Sequence, residues 1–121
     1  MRSIKVSDHM VEQPVTISDR SVVAEAAQAI VENKVSGIIV VDDRGTVVGM
    51  LSELDCLRSL LAEVYNQGQV GAAPVTSVMT TPVTTTAPDG DIITVAESML
   101  SQKQRRRPVV KDGKLKGQVT C

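Results

Sequence analysis

Two short runs in this chain of 121 residues carry side chains of a type and spacing that could do chemistry. In Ser52-Glu53-Leu54-Asp55 a hydroxyl and a carboxylate stand three apart, where a β-branched run gives way to helical spacing. A helix beginning there presents unpaired N–H groups and the positive end of its dipole, which suit a phosphate. A carboxylate such as Asp55 can accept hydrogen bonds from both hydroxyls of a sugar. The same Ser-x-x-Asp spacing also serves as a plain helix capping box. In Gln104-Arg105-Arg106-Arg107 the guanidinium groups can grip phosphate oxygens in pairs. A charge run can equally be a solvated face. Side chains alternate along a strand, so three consecutive arginines cannot all point one way. Arg105 and Arg106, nearest the helix-to-strand turn, are the favoured pair. His9 is the single histidine and has no partner at metal or catalytic spacing. Cys56 and Cys121 are too few for a disulfide framework or a zinc site. The sequence holds no nucleophile–base pair and no phosphate-activating Gly-Lys loop, which argues against an enzyme.

These runs belong to a sequence that repeats itself. Met10…Pro14-Val15-Thr16 returns as Met79…Pro82-Val83-Thr84, and Gly45, Gly49 and Ser52 return in register as Gly113, Gly117 and Thr120. The repeat is too long for a solenoid unit and reads as a supersecondary module used as a pair. Two modules with unfinished apolar faces are expected to stack, and the seam between them is a natural ligand cleft.

The elements follow from periodicity. Val23, Ala26, Ala27, Ile30 and Val31 fall at helical spacing within Val22–Asn33, with Ser21 available as N-cap. Gly37–Val41 is a β-branched run typical of a strand buried on both faces. Asp42-Asp43-Arg44-Gly45 is turn chemistry, and Thr46–Ser52 completes a hairpin. Helical spacing resumes from Glu53 to about Asn66 through Leu54, Leu57, Leu60, Leu61 and Val64. Residues 1–66 make one module, 67–74 a Gly- and Ala-rich linker, and 75–121 the other. In the second module the spacing predicts a short strand at Val83–Thr86, a helix over Ile92–Gln102, and strands at Pro108–Val110 and Leu115–Thr120. Within this sequence no closing helix follows Thr120, and no residue three positions on matches Asp55.

Composition narrows the function classes. Apolar residues make up 42%, yet there is one Tyr and no Phe or Trp. The core must be aliphatic, and the stacking platforms of single-stranded nucleic-acid binding are missing. A net charge of −1 gives no field toward nucleic acid or anionic lipid. No apolar run reaches membrane-span length, and the start lacks a signal peptide's apolar stretch. A soluble protein of a reducing, cytoplasmic compartment is expected.

The order β-α-β-β-α, used twice, resembles a tandem pair of CBS domains, the module named after cystathionine β-synthase. The residues carrying the resemblance are Met10…Pro14-Val15-Thr16, Val40-Val41-Asp42…Gly45…Gly49-Met50-Leu51-Ser52-Glu53-Leu54-Asp55, and Arg105-Arg106-Arg107-Pro108-Val109-Val110. The resemblance implies an α+β fold of two modules packed with pseudo-two-fold symmetry, the second lacking its closing helix. It implies a non-catalytic regulatory module that requires no cofactor. Such a module binds an adenosine-containing nucleotide (AMP, ADP or ATP) in the inter-module cleft and signals occupancy to an effector protein or domain. By the same resemblance, Asp55 takes the ribose and Ser52 the phosphate end. Thr16 contacts the nucleotide from the first strand, Val35-Ser36-Gly37 line the base and sugar pocket, and Arg105 and Arg106 reach the phosphates. Pro108 and Thr120 are their neighbours in the second module. A homodimer formed through helices is implied as well, while the composition already speaks against nucleic acid as a partner and against a membrane span. The alternative is a dimerisation module of the same fold with no physiological nucleotide.

Overall fold

The structure is a computed structural model and describes residues 4–120. Its elements in chain order are β1 (Val11–Glu12), β2 (Thr16–Ser18), α1 (Val23–Asn33), β3 (Gly37–Val41), β4 (Val47–Ser52), α2 (Glu53–Tyr65), α3 (Ile92–Gln102), β5 (Arg106–Lys111) and β6 (Lys114–Thr120). Single 3-10 turns at Val6–Asp8 and Val75–Ser77 precede the two repeats. The strands form two three-stranded sheets, β2-β3-β4 and β1-β6-β5.

One compact unit spans Val15–Val83. Here β2 runs parallel to β3 with α1 as the crossover, and β3 pairs antiparallel with β4. The hairpin closes because Asp42 Oδ1 accepts from the N–H groups of Arg44 and Thr46, both at 2.9 Å. Gly45 supplies the left-handed backbone (φ +80°) that the turn requires. Val23, Ala26 and Ile30 of α1 pack on Ile38, Val40 and Leu51 of the sheet, with Cys56 of α2 and Val75 completing the core. Apolar residues at helical spacing thus meet alternating strand residues, which is the physical content of the periodicity. Ser21 does not cap α1. Its carbonyl accepts from Val75 N–H instead, and Val22 takes the cap position with its N–H donated to Glu25 Oε1 at 3.0 Å. The Gly- and Ala-rich stretch after α2 is held in place. The Glu63 carboxylate accepts from the N–H groups of Gly71, Ala72 and Ala73, at 2.5, 3.3 and 3.0 Å.

The other unit joins residues 4–14 to residues 84–120. Asp91 caps α3, accepting from Ile93 and Thr94 N–H. Val95 and Met99 of α3 then bury against Val109, Val119 and Val6. The strand expected at Val83–Thr86 is reduced to one parallel bridge, Thr86 to Val109. Only Thr86 reaches the sheet, its N–H to Pro108 O at 3.0 Å and its carbonyl taking Val110 N–H at 2.8 Å.

The units therefore trade their leading segments relative to the sequence halves. Residues 4–14 pack with the second repeat, where β1 pairs with β6. The 3-10 turn Val75–Ser77 and the residues after it pack with the first, where Thr80 and Met50 exchange backbone hydrogen bonds of 2.8 and 3.1 Å. Met79 lies against Gly49, and Met10 lies against Gly117. Each thioether occupies the space where a side chain at the glycine would stand.

Candidate functional site

In the Val15–Val83 unit, the ladder fixes which candidate residues share a surface. Thr16 pairs with Ile39, Ile39 with Met50, and Gly37 with Ser52. Partners in a ladder share a face, as do residues two apart, so Thr16, Gly37, Ile39, Met50 and Ser52 line one face. Ile38, Val40 and Leu51 point the other way, into the helix-covered core. Ser36 and Thr16 are exposed, Gly37 and Ile39 are buried, and Val35 packs half-buried against the core.

At the β4–α2 junction the capping box is complete. Ser52 Oγ accepts from Asp55 N–H at 3.1 Å, and Asp55 Oδ2 accepts from Ser52 N–H at 3.0 Å. Ser36 O receives Glu53 N–H at 2.9 Å, tying the α1–β3 turn to the first residue of α2. Capping spends one carboxylate oxygen of Asp55. The other, Oδ1, lies 3.9 Å from an Arg58 guanidinium nitrogen, and Arg58 is largely exposed. A cation three residues after a helical acid, as Arg58 follows Asp55, is a pairing signal readable in the sequence. The Ser52 hydroxyl hydrogen is not used by the cap, so Ser52 can still donate.

The other unit offers the corresponding surface with different chemistry. Arg106 pairs with Thr120 and Pro108 with Gln118, so these four share the face opposite the core. Arg105 and Thr120 are exposed, Arg106 is half-buried, and Pro108 is fully buried with its carbonyl taken by Thr86. Burial, with the neighbouring Arg105 charge second, lowers the Arg106 pKa. Arg107 turns inward. It is 4% exposed, and its Nε and Nη2 both donate to Gln104 Oε1, at 3.2 and 2.7 Å. Alternation thus separates Arg106 from Arg107, one on each face of β5. The sequence had favoured Arg105 and Arg106 but gave Arg107 no place.

The family model for the CBS domain matches residues 6–62 and 75–121. The chain belongs to the CBS domain family. This CBS pair is 34% identical over 118 residues to the inosine-5'-monophosphate dehydrogenase of Aquifex aeolicus, covering 96% of the chain and 23% of that enzyme. It is 32% identical over 112 residues to the CBS domain-containing protein YhcV of Bacillus subtilis, covering 93% of the chain and 76% of YhcV. The chain therefore spans about a quarter of the length of the first of these curated relatives and about three quarters of the second. Among solved structures, CBSX2 in complex with AMP superposes with a TM-score of 0.84 at 31% identity, over 98% of this chain and 90% of CBSX2. The CBS domain pair of MJ0100, in complex with 5'-methylthioadenosine and S-adenosyl-L-methionine, superposes with a TM-score of 0.82 at 26% identity, over 96% and 88%. The two family matches follow the sequence halves, whereas the spatial units of this CBS pair exchange the segments that lead into each half. Among its described residues no helix is long and apolar enough to cross a membrane, and no three His, Cys, Asp or Glu side chains gather as a metal site would need.

Proposed function

We propose that this CBS pair is a non-catalytic regulatory module that binds an adenosine-containing ligand of the AMP, ADP or ATP class and signals its occupancy to a partner or attached domain. The observation that carries this reading is the β4–α2 junction. A hydroxyl and a carboxylate are fixed together at a helix N-terminus, beside the sheet face that Ser52 shares with Gly37 and Thr16. Asp55 Oδ1, which the cap does not use and which an exposed Arg58 approaches to 3.9 Å, is the acceptor for ribose hydroxyls, and the helix end with Ser52 favours phosphate. In the other unit, Arg105 and Arg106 are cationic donors of the kind that bind a phosphate group. AMP and S-adenosyl-L-methionine, held by the CBSX2 and MJ0100 pairs, share the adenosyl group that such a site recognises. A thermal-shift screen with AMP, ADP, ATP, NAD and S-adenosylmethionine, followed by calorimetry on the best ligand, tests the proposal. Stabilisation by at least one adenosyl compound is expected. No shift with any of them at millimolar concentration overturns it.

A second reading, self-association through α2, is favoured by a different observation. Leu54, Leu57, Leu61 and Val64 lie on one helical face and are each about half exposed, while Leu60 packs on the core. A contiguous apolar stripe on a soluble surface marks an interface more often than bare surface, and an isologous two-fold contact is the commonest way to cover it. This reading is compatible with nucleotide binding. A reducing, cytoplasmic setting suits the buried free thiol of Cys56.

A further inference from the structure

The two repeats differ in polarity at one pair of neighbouring positions, one buried and one half-buried. Lys34 and Lys103 both end their helices in left-handed backbone, φ 55° and 56°, which aligns the residues that follow. Val35 then corresponds to Gln104, Gly37 to Arg106, and Ile38 to Arg107. In the first unit Val35 and Ile38 are apolar and belong to one core. In the second unit both have become polar together, and they bind each other through two hydrogen bonds to one amide oxygen. A buried arginine held by a neutral amide is a costly replacement for isoleucine, because a guanidinium taken from water keeps only part of its hydration energy. Packing alone does not call for it, since the first unit fills the same place with Ile38.

The pair does accomplish one thing that Val and Ile cannot. Gln104 immediately precedes Arg105 and Arg106, and its N–H already donates to Met99 O at 2.9 Å. With its side chain pinned by Arg107, the turn out of α3 is fastened at backbone and side chain alike. Arg106 is fixed next by its ladder pairing with Thr120. We propose that Gln104 and Arg107 are positioning residues: they hold the 103–106 turn so that Arg105 and Arg106 are presented to the phosphate of the ligand. This rests on the nucleotide-binding reading above and adds to it how the cationic side is ordered. Neither residue of the pair touches the ligand.

The decisive variant is the double substitution Gln104→Val with Arg107→Ile, which installs the first unit's own pair. It replaces both members of the polar pair by the apolar pair that the first unit already accommodates, so the fold is retained. The wild-type chain is expected to bind AMP more tightly than adenosine. In the double variant that ratio should fall at least about fivefold, the effect of one ordered hydrogen bond to a charge. Adenosine affinity and melting temperature should hold or rise, and amide hydrogen exchange over residues 103–106 should accelerate. A double variant that keeps the full AMP-to-adenosine ratio overturns the positioning role and leaves the nucleotide-binding proposal standing. Wild type that binds adenosine and AMP equally at low salt overturns the phosphate role of the arginines, and the positioning role with it.

Discussion

The thioether of Met79 rests on the bare backbone of Gly49, filling the space a β-carbon there would need. The contact joins a residue of the segment after the Val75–Ser77 turn to the middle of β4, and Met10 repeats it on Gly117. Gly49→Ala should therefore destabilise the chain by about 1–3 kcal/mol, the usual cost of overpacking a filled site. Gly68→Ala meets only ordinary contact and serves as the control. Chemical denaturation of both variants checks this, and Met79→Ala in the Gly49→Ala background should recover part of the loss.

Asp55 serves both the helix cap and, by our proposal, the ribose. Asp55→Ala should cost about 0.5–2 kcal/mol of stability through the lost cap. In calorimetry it should weaken AMP binding by about tenfold or more, since hydrogen bonds to a charged acceptor are lost. Ser52→Ala removes the same cap's other half and calibrates the stability part. Equal AMP affinity in wild type and Asp55→Ala would remove Asp55 from the site.

If Arg105 and Arg106 meet the phosphate as proposed, binding should be sensitive to ionic strength. The preference for AMP over adenosine should narrow as salt rises from about 0.05 to 0.5 M, because exposed charge pairs are screened. Arg105→Gln together with Arg106→Gln should abolish both the preference and its salt dependence. Titrations at three salt concentrations provide the comparison.

The α2 stripe predicts assembly. Light scattering at micromolar concentration should return a dimer mass for wild type, and Leu57→Glu should weaken association by at least about tenfold, as loss of a central apolar anchor does. A monomer mass independent of concentration rules the interface out.

Burial, aided by the Asp55 and Glu53 charges, raises the Cys56 thiol pKa. A raised pKa means the folded chain holds its proton more tightly than the unfolded one. The associated stability is complete below the ordinary thiol range and declines as pH climbs above about 8.5. Urea midpoints measured across pH 7–10 should fall at the alkaline end, and Cys56→Ala should flatten that limb.

Elements with strong local signals were legible in the sequence. The α3 helix and the β3 strand fall on the expected residues, because apolar periodicity and turn residues are properties of neighbours along the chain. Ser52 and Asp55 were legible for the same reason, at a strand-to-helix change. What stayed hidden depends on partners far along the chain. Val83–Thr86 reads as a strand by composition but finds one bridging partner instead of a ladder. Ser21 reads as a cap, but its carbonyl is engaged by Val75 N–H. Alternation says only that the three arginines cannot all share a side, which leaves Arg107 unassigned; its burial depends on the core beneath β5 and on the Gln104 amide that accepts its guanidinium. The traded leading segments were the least legible, since a two-residue strand such as β1 carries no pattern that names its partner.

The trade has a consequence for how this duplicated chain came to depend on its own continuity. Val6 is sealed in the core built by the second repeat, and Val75 in the core built by the first. A chain severed within residues 67–74 would leave two fragments, each carrying the other's missing plug. Neither fragment alone holds a complete core, and co-expressed halves should recover a native fold only when both are present.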